Sequence, residues 1–85
     1  MNDIVYYFSA RWCAPCKVVS PSVEALALRF PAVKFQKVDV DTEHELAGKH
    51  KVRAMPTLVR VVDGVEIARV VGAKTRDDII KELKL

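Results

Sequence analysis

The chain has 85 residues, 51% of them hydrophobic and 29% charged with both signs interspersed, which excludes a disordered segment and fits one small soluble globular domain. A domain of this size buries little more than about 60% of the surface its unfolded chain exposes, so the core is expected to be thin. The net charge of +3 comes from scattered Lys and Arg with no nucleic-acid-binding motif beside them, so it reads as a solvated surface and argues against nucleic-acid binding.

The longest apolar run, Ile4 to Phe8, is about a quarter of the roughly 20 residues a membrane helix requires. Asp3 stands where a secretory leader carries basic residues, and no apolar leader core follows. The expectation is therefore a cytoplasmic protein with no membrane partner.

Residues 3 to 9, DIVYYFS, are β-branched and aromatic and predict a buried strand. From Cys13 the pattern turns helical. Val19, Val23, Leu26 and Phe30 recur at spacings of four, three and four, which draws one apolar stripe along a helix of about 18 residues. Pro21 falls inside that helix, where it predicts a kink, and Pro31 ends it. Val33 to Val40 alternates with period two and predicts a strand with Val33, Phe35, Lys37 and Asp39 on one side, so a lysine interrupts an apolar face.

Asp41 and Thr42 are expected to start a short helix, with Thr42 and Glu45 as its capping box and Gly48 weakening its end. Thr57 to Val62 is a strand, Asp63-Gly64 a hairpin turn, and Val65 to Val71 the antiparallel return. Thr75 and Asp78 open a last helix that turns Ile79, Ile80 and Leu83 inward and places Lys81 and Lys84 near its negative end. The order β-α-β-α-β-β-α needs a parallel crossover followed by a hairpin, hence an α/β fold with a four-stranded mixed sheet.

Both cysteines fall in Arg11-Trp12-Cys13-Ala14-Pro15-Cys16-Lys17, where a strand gives way to a long helix. A thiolate there is stabilised by unpaired backbone N–H groups and the positive end of the helix dipole. Cys13 gains most from this, while Cys16, one turn later, is near enough to form a disulfide and is expected to be the more shielded. That asymmetry suits Cys13 as the nucleophile on a substrate disulfide and Cys16 as the resolving thiol. Pro15 is harmless in a first helical turn and stiffens it.

A CxxC pair has two other common uses. A zinc site needs about four ligands, and beyond the cysteines only His44 and His50 are available, six residues apart and off a common helix face; no metal is expected. An inert core pair fits poorly with a proline between the cysteines and a tryptophan beside them.

Trp12-Cys13-Ala14-Pro15-Cys16-Lys17 resembles the active-site signature of the thioredoxin family, in which glycine usually stands at the place of Ala14. Ala54-Met55-Pro56-Thr57 resembles the family's cis-proline segment, Asp63-Gly64 its hairpin turn, and Gly72 the glycine beside its substrate-docking surface. The likeness runs in order from residue 4 to residue 72 and implies one thioredoxin-like domain over residues 1–85. It implies a cis Met55–Pro56 bond opposite the redox pair, and an apolar docking surface formed by Trp12, Met55, Pro56, Gly72 and Ala73 around Cys13.

Three departures from the family pattern stand out. The fold is expected to be the minimal one, lacking the N-terminal strand and helix of typical thioredoxins, so that residues 33 to 40 form an exposed edge guarded by Lys34 and Lys37. Tyr7 occupies the place of the family's buried aspartate, and a phenol is a poor base near neutrality. Lys37 matches the lysine that accompanies that aspartate, and two readings stay open for it: a cation that favours the thiolate, or a surface lysine whose amine reaches water. Third, Ala14 and Pro15 between the cysteines tune the redox couple and look like those of the reducing members.

The resemblance implies a disulfide reductase that carries electrons to disulfide-containing protein substrates as a monomer. It implies no bound cofactor beyond the Cys13–Cys16 disulfide, which a flavoprotein of the thioredoxin-reductase type, NADPH-linked, would reduce again. The alternatives are glutaredoxin-like or isomerase-like exchange, the former weakened by the lack of an aromatic residue between the cysteines, and a thioredoxin-fold binding or assembly module with incidental redox activity.

Overall fold

The strand read from DIVYYFS occupies the middle of the sheet and sets the layout of everything else. In a computed structural model, which describes residues 2–85, the elements in chain order are β1 (Asp3–Ser9), α1 (Ala14–Arg29), β2 (Lys34–Asp39), α2 (His44–Lys49), β3 (Thr57–Val62), β4 (Val65–Val71) and α3 (Arg76–Glu82). The sheet order is β2-β1-β3-β4, with β1 parallel to β2, antiparallel to β3, and β3 antiparallel to β4. This is the α/β fold with a four-stranded mixed sheet expected from the element order, and it is the arrangement that the resemblance to thioredoxins implies.

The side-chain period of two divides β1 between two cores. Val5 and Tyr7 face α1 and α3, where they pack with Val19, Val23 and Leu26 of α1 and with Ile79 and Leu83 at the end of α3. Phe8 faces the other way and joins Val38, Val59, Val61 and Ala47 of α2. Phe8, Leu26, Leu58, Ile79 and Leu83 are completely enclosed, and each contributes about 2 to 3 kcal/mol of hydrophobic burial relative to exposure. The stripe on α1 behaves as its spacing predicts, with Phe30 half-buried at its lower end.

Local signals account for most boundaries. Asp63 and Gly64 take positive φ values of 48° and 85°, the pair of left-handed residues that a tight hairpin turn demands. Between Arg60 and Val61 the pairing skips from Ala68 to Glu66, so Ile67 is the extra residue of a bulge in the hairpin's second strand. Thr75 caps α3 by accepting a hydrogen bond from the Asp78 N–H at 3.2 Å, and Pro21 lies inside α1, which ends at Arg29, two residues before Pro31.

One expected cap is absent. α2 begins at His44, its N-cap is Glu43, and no side chain caps it. The Thr42 hydroxyl instead donates to the Asp39 carbonyl at 3.3 Å, while Asp39 Oδ1 accepts the Asp41 N–H at 2.9 Å. The turn leaving β2 therefore consumes the side chain that the capping box assigned to the helix.

β2 lies at one edge of the sheet, with Lys34 and Lys37 exposed along it. Charged side chains on an edge strand oppose pairing with another chain.

Candidate active site

The site is built where β1 runs out. After Ser9 the chain turns through Ala10, Arg11 and Trp12, closed by a hydrogen bond from the Cys13 N–H to the Ala10 carbonyl at 3.2 Å. Cys13 then serves as the N-cap of α1 in extended geometry, and its Sγ accepts the Cys16 N–H at 3.2 Å. The helix has no acidic residue in its first turn, so the positive end of its dipole acts on the sulfurs without opposition from that turn. Such a cap stabilises a thiolate at Cys13 once the bond to Cys16 is reduced.

Cys13 and Cys16 are joined in a disulfide, with Cα atoms 5.3 Å apart. The two residues form a small apolar cluster with Ala10, against which Val40 and Met55 pack. The expected difference in shielding is not seen at the residue level, because Cys13 is 4% and Cys16 3% exposed. What separates them is their backbone: Cys13 precedes the helix as its cap, whereas Cys16 lies inside it with its carbonyl held by two hydroxyls.

Those hydroxyls belong to Tyr7 and Ser20. Tyr7 Oη donates to the Cys16 carbonyl at 2.9 Å, Ser20 Oγ donates to the same oxygen at 2.8 Å, and the two hydroxyls are 2.8 Å apart. Burial pushes the Tyr7 phenol above its usual range, against a smaller opposing effect of its contact with the Ser20 hydroxyl. Tyr7 thus remains a neutral donor near neutral pH, and at the family's aspartate position it pins the helix's first turn. Ser20 was not among the expected site residues, although a serine four residues after Cys16 on a helix signals a bond back to that carbonyl.

Trp12 is 66% exposed, and its Nε1–H donates to Asp41 Oδ2 at 3.0 Å. The sequence marks Asp41 only as a helix starter, since nothing local links residues so far apart. The Met55–Pro56 peptide bond is cis. Met55 touches the cysteine cluster, Pro56 is buried, and the Pro56 carbonyl accepts the Gly72 N–H at 2.8 Å. Gly72 has φ +90°, a region that glycine enters without steric cost. Ala73 beyond it is exposed, as are Ala14 and Pro15 in the first turn of α1.

Lys37, paired in register with Tyr7 across β1 and β2, is exposed and borders a hollow of about 220 Å³ that also touches Cys16, Ser20, Arg11, Lys17 and Asp39. Its exposure fits a surface lysine whose amine reaches water. The histidines stand apart from the cysteines: His44 is exposed at the start of α2, and His50 lies against the rings of Tyr6 and Phe8 with centroids 5.2 and 5.9 Å away. Among the described residues no group of three or more His, Cys, Asp and Glu is arranged to hold a metal ion.

The family model described as Thioredoxin matches residues 1–85. The chain belongs to the thioredoxin family. It is 45% identical over 80 residues to a thioredoxin H-type protein of Fagopyrum esculentum, covering 94% of this chain and 68% of that one. It is 45% identical over 74 residues to a thioredoxin of Chlamydia trachomatis, covering 87% and 72% respectively. The X-ray structure of Fasciola hepatica thioredoxin superimposes with a TM-score of 0.89 at 44% identity, over 98% of this chain and 77% of that one. The chain thus spans about two thirds to three quarters of the length of these relatives.

The protein is a thiol–disulfide oxidoreductase, and like other thioredoxins a disulfide reductase, with the cysteine pair of that chemistry in place. The family works through a redox-active disulfide rather than a bound cofactor, accepting electrons from a thioredoxin reductase and passing them to disulfide substrates. No helix among the described residues is long and apolar enough to cross a membrane.

Proposed function

We propose that Cys13 is the attacking thiol and Cys16 the resolving one in the reduction of protein disulfides, within a single thioredoxin-like domain over residues 1–85. The Cys13 thiolate attacks one sulfur of the substrate disulfide, forming a mixed disulfide and expelling the first substrate thiolate, which takes up a proton. Cys16, having lost its proton, then attacks Cys13 Sγ, re-forms the Cys13–Cys16 bond and releases the second substrate thiol. Two electrons pass to the substrate and the dithiol becomes the disulfide. The single observation that carries this division of labour is the N-cap: Cys13 Sγ accepts a hydrogen bond from the helix's first turn, and Cys16 does not.

In this reading Trp12, Met55, Pro56, Gly72 and Ala73 dock an extended substrate segment. The large exposed indole of Trp12 and the contact between Met55 and the cysteine cluster support it. Ala14 and Pro15 set the helix end that faces the thiolate, and Lys37 contributes a nearby positive charge. The protein acts as a monomer in cytoplasmic electron transport and cell redox homeostasis, and an NADPH-linked flavoprotein of the thioredoxin-reductase type returns it to the dithiol.

The test is a pair of single substitutions. Cys13→Ser abolishes turnover of a protein disulfide, whereas Cys16→Ser accumulates a covalent mixed disulfide that mass spectrometry resolves; turnover that survives Cys13→Ser overturns the assignment. Equilibration in dithiothreitol buffers, read by Trp12 fluorescence, checks the direction of transfer: a reductase has a potential near the thioredoxin value of about −270 mV, and an oxidant lies near about −120 mV.

A further inference from the structure

The residues that ring the redox pair carry an excess of positive charge. Arg11, Lys17 and Lys37, with the single carboxylate of Asp39, line the hollow of about 220 Å³ that opens beside Cys16. In the segments of the proposed docking face, Arg53 precedes Met55 by two residues and Lys74 follows Gly72 by two, which keeps each within about 7 Å of its neighbour, Cα to Cα. All five are exposed. The two ion pairs among the described residues are Asp3–Arg60 and Glu66–Arg69, so none of the five is engaged there.

The carboxylates in the same neighbourhood are fewer and occupied. Asp39 Oδ1 accepts the Asp41 N–H, and Asp41 Oδ2 accepts the Trp12 indole N–H. Glu43 and Glu45 line a separate hollow with Lys49. A disulfide approaching Cys13 therefore passes a collar of five exposed cations that outnumber the two carboxylates, Asp39 and Asp41, beside them.

We infer that this collar selects its substrates: the protein reduces disulfides flanked by acidic residues in preference to those flanked by basic ones. The inference rests on the proposed docking face and names the class of protein segment that face accepts. Aspartate or glutamate next to the substrate cysteine reaches the hollow lined by Arg11, Lys17 and Lys37 while the sulfur meets Cys13. The exchange is the one already written, dithiol and substrate disulfide giving disulfide and two substrate thiols, and it needs no further reactant. Exposed charges act mainly on the rate of productive encounter, so the preference depends on ionic strength.

Two synthetic peptides test this, each closed by one disulfide and identical except for two glutamates or two lysines beside the cysteines, with the neutral 2-hydroxyethyl disulfide as reference. The pre-reduced protein is expected to reduce the glutamate peptide about tenfold faster at low ionic strength, and the gap closes to about twofold or less near 0.5 M salt. Arg53→Glu/Lys74→Glu, outside the first turn of α1, cuts the preference by half or more and leaves the rate on the neutral disulfide within about twofold. Arg53→Gln supplies a second, milder variant should the first not fold. Equal rates at low salt, faster reduction of the lysine peptide, a preference indifferent to salt, or a preference kept in full by the folded variants would each overturn the inference. Failure of the unmodified protein to reduce the neutral disulfide would instead overturn the redox reading beneath it.

Discussion

The two ends of the central strand are built for opposite purposes. Where β1 begins, Asp3 receives two hydrogen bonds from Arg60, which also donates to the backbone carbonyls of Leu83 and Lys84 at the end of α3. The Asp63 N–H donates to the Asn2 carbonyl, and the Asn2 N–H donates to Asp63 Oδ1. One guanidinium thus ties the start of the chain, the hairpin strand and the last helix together. Where β1 ends, the cluster is Ala10, Cys13 and Cys16 with Val40 and Met55 laid against it, beside an exposed indole and exposed cations that take no part in the two ion pairs of the described residues. Stability is concentrated at the first end, which leaves the second free to present a sulfur to a partner.

The largest test of this contrast is Arg60→Ala. It leaves the Asp3 carboxylate and two carbonyls without their donor, at a cost of about 2 to 3 kcal/mol, or a fall in Tm of roughly 10 °C or more for a domain of this size. The folded variant is expected to reduce disulfides at the unmodified rate, and a slower rate at full folding would show that the two ends are coupled. The loss also depends on pH. Hydrogen bonding by Arg60 holds the Asp3 carboxyl below its usual range, against burial. A depressed value in the folded state contributes stability above the unfolded value of about 4 and loses it as pH falls through the folded value. Urea titrations at neutral pH and below pH about 4 should therefore show the gap between the two proteins narrowing in acid.

A matched pair of glycines sharpens the comparison. Gly64 in the hairpin and Gly72 beside Pro56 have φ +85° and +90°, and an added Cβ would meet no atom within 4 Å at either. Gly64→Ala and Gly72→Ala therefore carry the same penalty, about 1 to 2 kcal/mol of backbone strain, which thermal unfolding measures. Only Gly72→Ala is expected to raise KM for a protein disulfide, because only Gly72 stands on the proposed docking face. Equal kinetic effects would remove Gly72 from that face.

These ends were unequally legible in the sequence. The strand DIVYYFS, the Asp63-Gly64 turn, the Thr75 cap and the cysteine pair at a strand-to-helix junction are set by residues within a few positions of each other. The Arg60 network joins positions 23 to 57 residues apart, and Trp12 meets Asp41 across 29, so no period or spacing announces either. The Thr42 capping box failed for a related reason. The hydroxyl had a second acceptor, the Asp39 carbonyl, within three residues, and only the turn leaving β2 decides between the two. At the site the motif located the sulfurs, while the hydroxyls that hold Cys16 came from two other places in the chain.

Tyr7 provides the finest test, since it belongs to both ends at once: its ring packs in the core beneath α1 and α3, and its hydroxyl reaches the active helix. Tyr7→Phe keeps the ring and removes one of the two donors on the Cys16 carbonyl, leaving Ser20 in place. The expected loss is about 0.5 to 1.5 kcal/mol by urea unfolding. Burial raises the phenol above its ordinary value of about 10, so it keeps its proton from pH 6 to about 9 and neither gives nor takes one in the resolving step. The rate of mixed-disulfide resolution should therefore follow pH with the same midpoint in both proteins. Tyr7→Asp, by contrast, places at that point a carboxyl whose own titration burial moves upward toward neutrality, and it should add a second inflection to the same profile. A midpoint that shifts in Tyr7→Phe would make the phenol part of the proton path; an unchanged one means that Tyr7 holds the helix for a reaction whose proton leaves by the solvent beside Cys16.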